Sequence, residues 1–213
     1  MEKILDYLMS ENALDGWNEL NINALRRFGR SNGYKVQSGA TRVCVYREEW
    51  DYVLKMDIRL QSSYCAMEAY NYSRAVEYNV QRVLLPITKV TTLDNGIKVY
   101  RQQKFSTEWE FDKFTGKERK KLNEAYAKVA KGRAYAHIRN SNLGDIKREW
   151  LTRVTQLYGK KFMLSLQEWA DECDVNDLHR GNIGMLKGRP IILDYAGYHG
   201  SSYTPAEEIA LNF

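Results

Sequence analysis

Asp177, Asn182 and Asp194 are the residues whose types and spacing point most directly to chemistry. They lie in the polar run Asp174-Val175-Asn176-Asp177-Leu178-His179-Arg180-Gly181-Asn182-Ile183-Gly184. This continues through Met185-Leu186-Lys187-Gly188-Arg189-Pro190 into Ile191-Ile192-Leu193-Asp194-Tyr195-Ala196-Gly197. The pattern is a polar loop, a Lys187–Pro190 turn and a short apolar strand ending in an acid. A hairpin of this kind gathers both carboxylates and the amide at one rim. All three offer oxygen donors, which suit Mg²⁺, a hard cation that is commonly shared between one or two carboxylates and a set of phosphates. The same pattern is also what a hairpin needs when its Asp and Asn serve only turns and caps.

The polar run around Asp177 resembles the catalytic loop of the protein-kinase superfamily, and that resemblance implies three elements upstream, in order: a loop that covers the nucleotide, a strand lysine and a helix glutamate. Gln37-Ser38-Gly39-Ala40-Thr41-Arg42-Val43 precedes a β-forming stretch. Val53-Leu54-Lys55 ends an apolar strand on a cation. Glu68 and Glu77 lie 13 and 22 residues beyond Lys55 on the next helical stretch. Glu68 is the expected partner of Lys55, because it leaves about three helical turns before the apolar run at Val83.

On these residues the chain resembles the protein-kinase superfamily in its small atypical branch. Asp177-Leu178-His179-Arg180-Gly181-Asn182 is similar to the D-L/M-H-x-G-N catalytic loop of aminoglycoside-type phosphotransferases and phage-encoded kinases. Asp194-Tyr195-Ala196-Gly197 resembles the D-F-G metal motif with one residue inserted, 17 residues after Asp177. Similarity is greatest to the early Ser/Thr protein kinases of T7-like bacteriophages and spans about residues 34–200. The resemblance implies catalytic roles for Asp177 as base, for Lys55 with Glu68, and for His179, which stands where ordinary protein kinases carry a lysine. It implies nucleotide contacts from Ser38, Gly39, Thr41 and Lys55, and Mg²⁺ on Asn182 and Asp194, with ATP as phosphoryl donor.

The elements that must position these residues follow from periodicity. Helices are expected over residues 3–10 and from Leu20 through Phe28, stopping at Gly29 and Ser31-Asn32-Gly33. Val43–Tyr46 and Tyr52–Met56 read as a hairpin, residues 62–79 as a helix, and Val83–Ile87 as a strand. Val90–Leu93 and Ile97–Tyr100 read as a second hairpin around Asp94-Asn95-Gly96. Beyond residue 104 the texture is helical: Ile146, Trp150, Val154 and Leu157 form one stripe, and Phe162, Leu166, Trp169 and Cys173 another. The expected fold class is α+β, a minimal kinase-like two-lobed fold. An N-terminal helical extension (1–33) precedes an antiparallel-sheet nucleotide lobe (34–103) and a truncated helical lobe (104–213). Only 19 residues follow Asp194. That leaves no room for an activation segment or a peptide platform, so the helices of 115–173, or a partner, must do more of the substrate work.

Composition bounds the alternatives. In 213 residues, 44% are hydrophobic and 12% aromatic, enough for a real core. Lys and Arg total 32 against 27 Asp and Glu, a net +5 in an otherwise mixed surface, and a nucleic-acid partner is not expected. The basic stretch Lys117–Arg133 reads first as a solvated helix face. Three cysteines without a CxxC pair argue against a zinc ribbon or disulfide framework and for a reducing compartment. A charged N-terminus and the lack of a long apolar run give the expectation of a cytoplasmic protein without a membrane span, in the bacterial host cytoplasm if phage-encoded. Three functions fit: a kinase acting on host protein Ser/Thr, a pseudokinase-like binder of a host partner, or a small-molecule kinase.

Overall fold

The computed structural model describes residues 1–16, 18–105, 115–129, 144–175, 177–178 and 181–197. The chain divides into two compact units. The first is built from Met1–Tyr70 and Pro86–Lys104, the second from Asn71–Leu85 and the described part of Phe105–Gly200. Mixed α and β structure with wholly antiparallel strand ladders is the architecture of both.

The first unit opens with α1 (Glu2–Met9), a small ladder of β1 (Leu14–Asp15) with β2 (Glu19–Leu20), and α2 (Ile22–Asn32). Asn21 caps α2 by accepting from the Ala24 amide at 2.9 Å. α2 runs past Gly29 to Asn32, and Gly33, the later of the two expected breakers, ends it in the left-handed conformation at φ 74°. Gly29 is needed for a different reason. A Cβ there would stand 2.9 Å from Val36 Cγ2 and 3.1 Å from the Tyr34 carbonyl oxygen.

A five-stranded sheet follows in the order β3-β4-β5-β7-β6, with β3 (Lys35–Ser38), β4 (Arg42–Tyr46), β5 (Tyr52–Asp57), β6 (Ile87–Thr92) and β7 (Lys98–Gln103). β3 is an addition to the expected strands, and it shortens the loop before β4 to residues 39–41. The strand expected at Val83–Ile87 is instead a 3₁₀ turn at Gln81–Val83, with β6 starting at Ile87. Strand alternation sends Val43, Val45, Leu54, Met56 and Val99 to one face, where Ile4, Leu8 and Leu25 cover them. Lys55, Tyr100 and Gln102 face the other way, toward α3 (Tyr64–Glu77).

The second unit is organised by α4 (Gly116–Val129), α5 (Gly144–Glu172) and a hairpin of β8 (Ile183–Leu186) with β9 (Arg189–Ile192). The two apolar stripes of α5 are separate helices merged across Gly159, whose φ of 85° and ψ of 171° are not helical. Trp150 and Trp169, one from each half, are fully buried. The Trp150 indole donates to the Gly184 carbonyl of β8 at 3.2 Å, and the Leu85 amide to the Ile192 carbonyl of β9 at 3.3 Å. Among the described residues no helix is long and apolar enough to cross a membrane.

Candidate phosphotransfer site

In the first unit, β5 carries Lys55 onto the face that α3 covers. Its ammonium lies 2.5 Å from Glu68 Oε2, and Glu68 is fully buried. Glu77 is exposed and pairs with Arg74 one turn away on the same helix. Helix phase decides between them: Cys65, Glu68, Asn71 and Ala75 share the buried stripe, and Glu77 falls outside it.

Two further side chains close on Glu68. Arg42 at the start of β4 reaches Oε2 at 3.2 Å, and Gln102 of β7 donates to Oε1 at 3.1 Å. Gln102 Oε1 also accepts from the Lys55 ammonium at 3.3 Å. Neither residue stands out in the sequence. A strand polar residue at alternating phase with the buried Tyr100 is the available signal for Gln102, and it becomes meaningful only once β7 is paired with β5.

Asp57, two residues past Lys55, accepts from the Cys65 amide in the first turn of α3 at 3.2 Å. It therefore fixes the start of the helix that carries Glu68. Burial pushes its carboxyl up to about 6, opposed by the hydrogen bond from Cys65 and by nearby Arg42. Burial also raises the Cys65 thiol and the Tyr100 phenol, so neither is a nucleophile near neutral pH.

The loop residues lie where β3 turns into β4. The Gly39 amide donates to the Arg42 carbonyl at 2.9 Å, Ser38 Oγ accepts from Arg26 at 2.8 Å, and the Thr41 carbonyl accepts from Ile58 at 2.8 Å. A Cβ on Gly39 would meet only the Arg42 oxygen at 3.9 Å, an ordinary contact. The fold itself does not demand glycine there.

In the second unit the β8–β9 hairpin gathers the acidic residues. Ile183 pairs with Ile192, and the Leu193 amide donates to the Asn182 carbonyl at 2.7 Å, so Asn182 and Asp194 flank the same end of the ladder. Asn182 Nδ2 donates to the Asp177 carbonyl at 2.7 Å and to Asp177 Oδ2 at 3.3 Å. The amide nitrogen thus faces Asp177, and its oxygen is the atom that can serve a cation. Asp194 Oδ1 accepts from the Ala196 amide at 3.4 Å. His179 lies outside the described residues.

Among the described residues no cluster of three or more His, Cys, Asp or Glu side chains could hold a metal ion. The donor set is one carboxylate and one amide oxygen beside a second carboxylate. These are hard oxygen donors of the kind that could hold Mg²⁺.

Two anchors hold this hairpin that sequence reasoning missed. Asn71 on α3 donates to the Tyr195 carbonyl at 2.7 Å, and the buried Tyr195 hydroxyl donates to the Leu85 carbonyl at 2.5 Å. Glu172, at the end of α5, pairs with Arg74 at 2.9 Å.

No protein-family model matches the sequence, and no curated protein does. A solved structure described as the streptomycin–ATP–APH(2'')-IIa ternary complex is 14% identical, with a TM-score of 0.38, covering 83% of this chain and 71% of that one. Overlap at that level settles neither the fold nor the activity of this chain.

Proposed function

We propose that the protein is an ATP- and Mg²⁺-dependent phosphotransferase whose acceptor is a Ser or Thr hydroxyl of a host protein. The observation that carries this reading is the Lys55–Glu68 ion pair. A buried ion pair seldom stabilises a fold more than well-packed apolar residues of similar volume would. Its place in the interior, with Glu68 fully buried, is therefore better accounted for by a task that needs a fixed ammonium.

In this reading Lys55 neutralises the α- and β-phosphates, and Glu68 keeps the ammonium from turning away. The backbone at Gly39, with Ser38 and Thr41, covers the phosphates. Asn182 and Asp194 would hold Mg²⁺, which when bound supplies charge neutralisation on the phosphate oxygens. Asp177 orients the acceptor hydroxyl and takes its proton as the hydroxyl oxygen bonds to the γ-phosphorus and the bond to ADP breaks. Asn182 restrains Asp177 through the bond at 3.3 Å, so metal and base residues share one scaffold. His179 is assigned to the γ-phosphate side of this loop by the resemblance alone.

The protein is incubated with ATP labelled in the γ-phosphate, with and without bacterial lysate. Labelled protein in the lysate arm is the expected result. A labelled metabolite would move the acceptor to a small molecule. No transfer, with nucleotide still bound, would favour the pseudokinase-like binder.

A further inference from the structure

We infer that Gln102 is a positioning residue for Lys55: it locks the Lys55–Glu68 pair in a one-oxygen geometry and so sets where the ammonium meets phosphate. The phosphate clause rests on the function proposed above; the lock itself does not.

Register places Gln102 for this task. Lys55 pairs directly with Tyr100 across β5 and β7, and Val53 with Gln102. Gln102 is thus the diagonal neighbour of Lys55 on the same face, a separation that long side chains span. The contact is two-sided. Gln102 Oε1 accepts from the Lys55 ammonium at 3.3 Å while its Nε2 donates to Glu68 Oε1 at 3.1 Å.

A primary amide of this length does both at once, its oxygen accepting and its nitrogen donating. A carboxylate only accepts, an ammonium or guanidinium only donates, and an apolar side chain does neither. The chemistry also fixes the amide's orientation, since the reverse would set amide hydrogens against ammonium and oxygen against carboxylate. With Oε1 of Glu68 held by Gln102, Oε2 is the oxygen shared by Lys55 at 2.5 Å and Arg42 at 3.2 Å. The carboxylate cannot swing to chelate Lys55 with both oxygens, and the ammonium is held from two directions. Around the cluster stand Arg42 of β4, Asp57 of β5, Cys65 of α3 and Tyr100 of β7.

Two substitutions test the lock. Gln102→Met keeps length and removes both polar contacts. Gln102→Glu keeps the acceptor and replaces the donor with a second carboxylate facing Glu68. Binding of ATP-Mg²⁺ and of adenosine, which has no phosphates, is measured for each across pH 5.5–8.5. Gln102→Met is expected to weaken ATP by about tenfold, the scale of a lost hydrogen bond to a charged group, and to leave adenosine affinity unchanged. Gln102→Glu is expected to weaken ATP at pH 8 and to recover as pH falls, because two facing carboxylates come to share a proton.

Acetylation of Lys55 by a water-soluble acetyl ester, read by peptide mass spectrometry without nucleotide, separates the lock from the proposed reaction. Gln102→Met should label at least about threefold faster than wild type, and Gln102→Glu more slowly than Gln102→Met, since a second carboxylate favours the ammonium. Unchanged labelling in both variants overturns the lock whether or not ATP binds. Equal losses of ATP and adenosine affinity overturn it too, as does failure of both variants to fold, since either makes Gln102 a core-stability residue. If wild type binds no ATP yet labelling responds as stated, the phosphotransfer reading falls and the lock stands.

Discussion

Asn71 of α3 donates its side-chain amide to the backbone carbonyl of Tyr195, 124 residues away, at 2.7 Å. Its own backbone carbonyl accepts from the Trp169 indole at 2.9 Å, so one residue ties α3 both to the segment after Asp194 and to α5. Glu68 stands one turn earlier on the same helix. Asn71→Ala removes a buried donor and leaves the Tyr195 carbonyl without it, for a loss of about 2 kcal/mol in a denaturant melt. The same variant is expected to need more Mg²⁺ for half-maximal nucleotide binding, because the Asp194 segment loses its tether. A melt indistinguishable from wild type would show that the contact carries no weight.

Nucleotide should stabilise the folded chain. A ligand that binds only the native state adds about 2.7 kcal/mol at 100 times its Kd, several degrees for a domain of this size. ATP-Mg²⁺ is expected to raise the midpoint of wild type, and Lys55→Ala to abolish most of the rise. Gly39→Ala should leave the ligand-free midpoint unchanged, since its Cβ meets only the Arg42 oxygen at 3.9 Å, yet reduce the rise. A flat midpoint for wild type through millimolar ATP would count against the nucleotide site.

Asp57 predicts an unusual pH dependence. Its carboxyl is pushed up to about 6 in the native state from 3.8, so the folded chain binds the proton more tightly than the unfolded chain does. Its contribution to stability is full below about pH 4 and is lost as pH rises through about 6, by up to about 3 kcal/mol. Asn at this position can still accept from the Cys65 amide without burying a charge. Asp57→Asn is thus expected to stabilise the chain at pH 8 and to have little effect at pH 4. Equal effects at the two pH values in urea titrations would contradict this.

Base and metal residues should fail differently. Asp177→Asn is expected to keep ATP-Mg²⁺ binding nearly intact and to lower transfer by about 10²-fold or more, the scale of a positioned general base. Asp194→Asn should impair both, if Asp194 holds Mg²⁺ as proposed. Full biological effect from Asp177→Asn, combined with loss on changing the exposed Lys117 and Lys120 of α4, would instead identify a binding protein.

Much of this arrangement is local, and the amino-acid sequence by itself determines it. Asp177, Asn182 and Asp194 lie within one loop-hairpin segment, and the Lys187-Gly188 turn with apolar Ile183 and Ile191–Ile192 brings them together through short-range pairing. Strand alternation places Lys55 opposite the Leu54 and Met56 face, and the helical length left before Val83 favours Glu68 over Glu77. Of the two breakers read after Phe28, Gly33 ends the helix, whereas Gly29 is required by the close approach of Val36 and Tyr34. What only the tertiary structure decided is who meets whom across the chain: Gln102 and Arg42 on Glu68, Asp57 under α3, Asn71 on Tyr195. Periodicities of 2 and 3.6 residues tell which way a side chain faces. They do not carry strand order, register or the docking of a helix, and those long-range choices are what join Gln102, Arg42 and Glu68 into one network around Lys55.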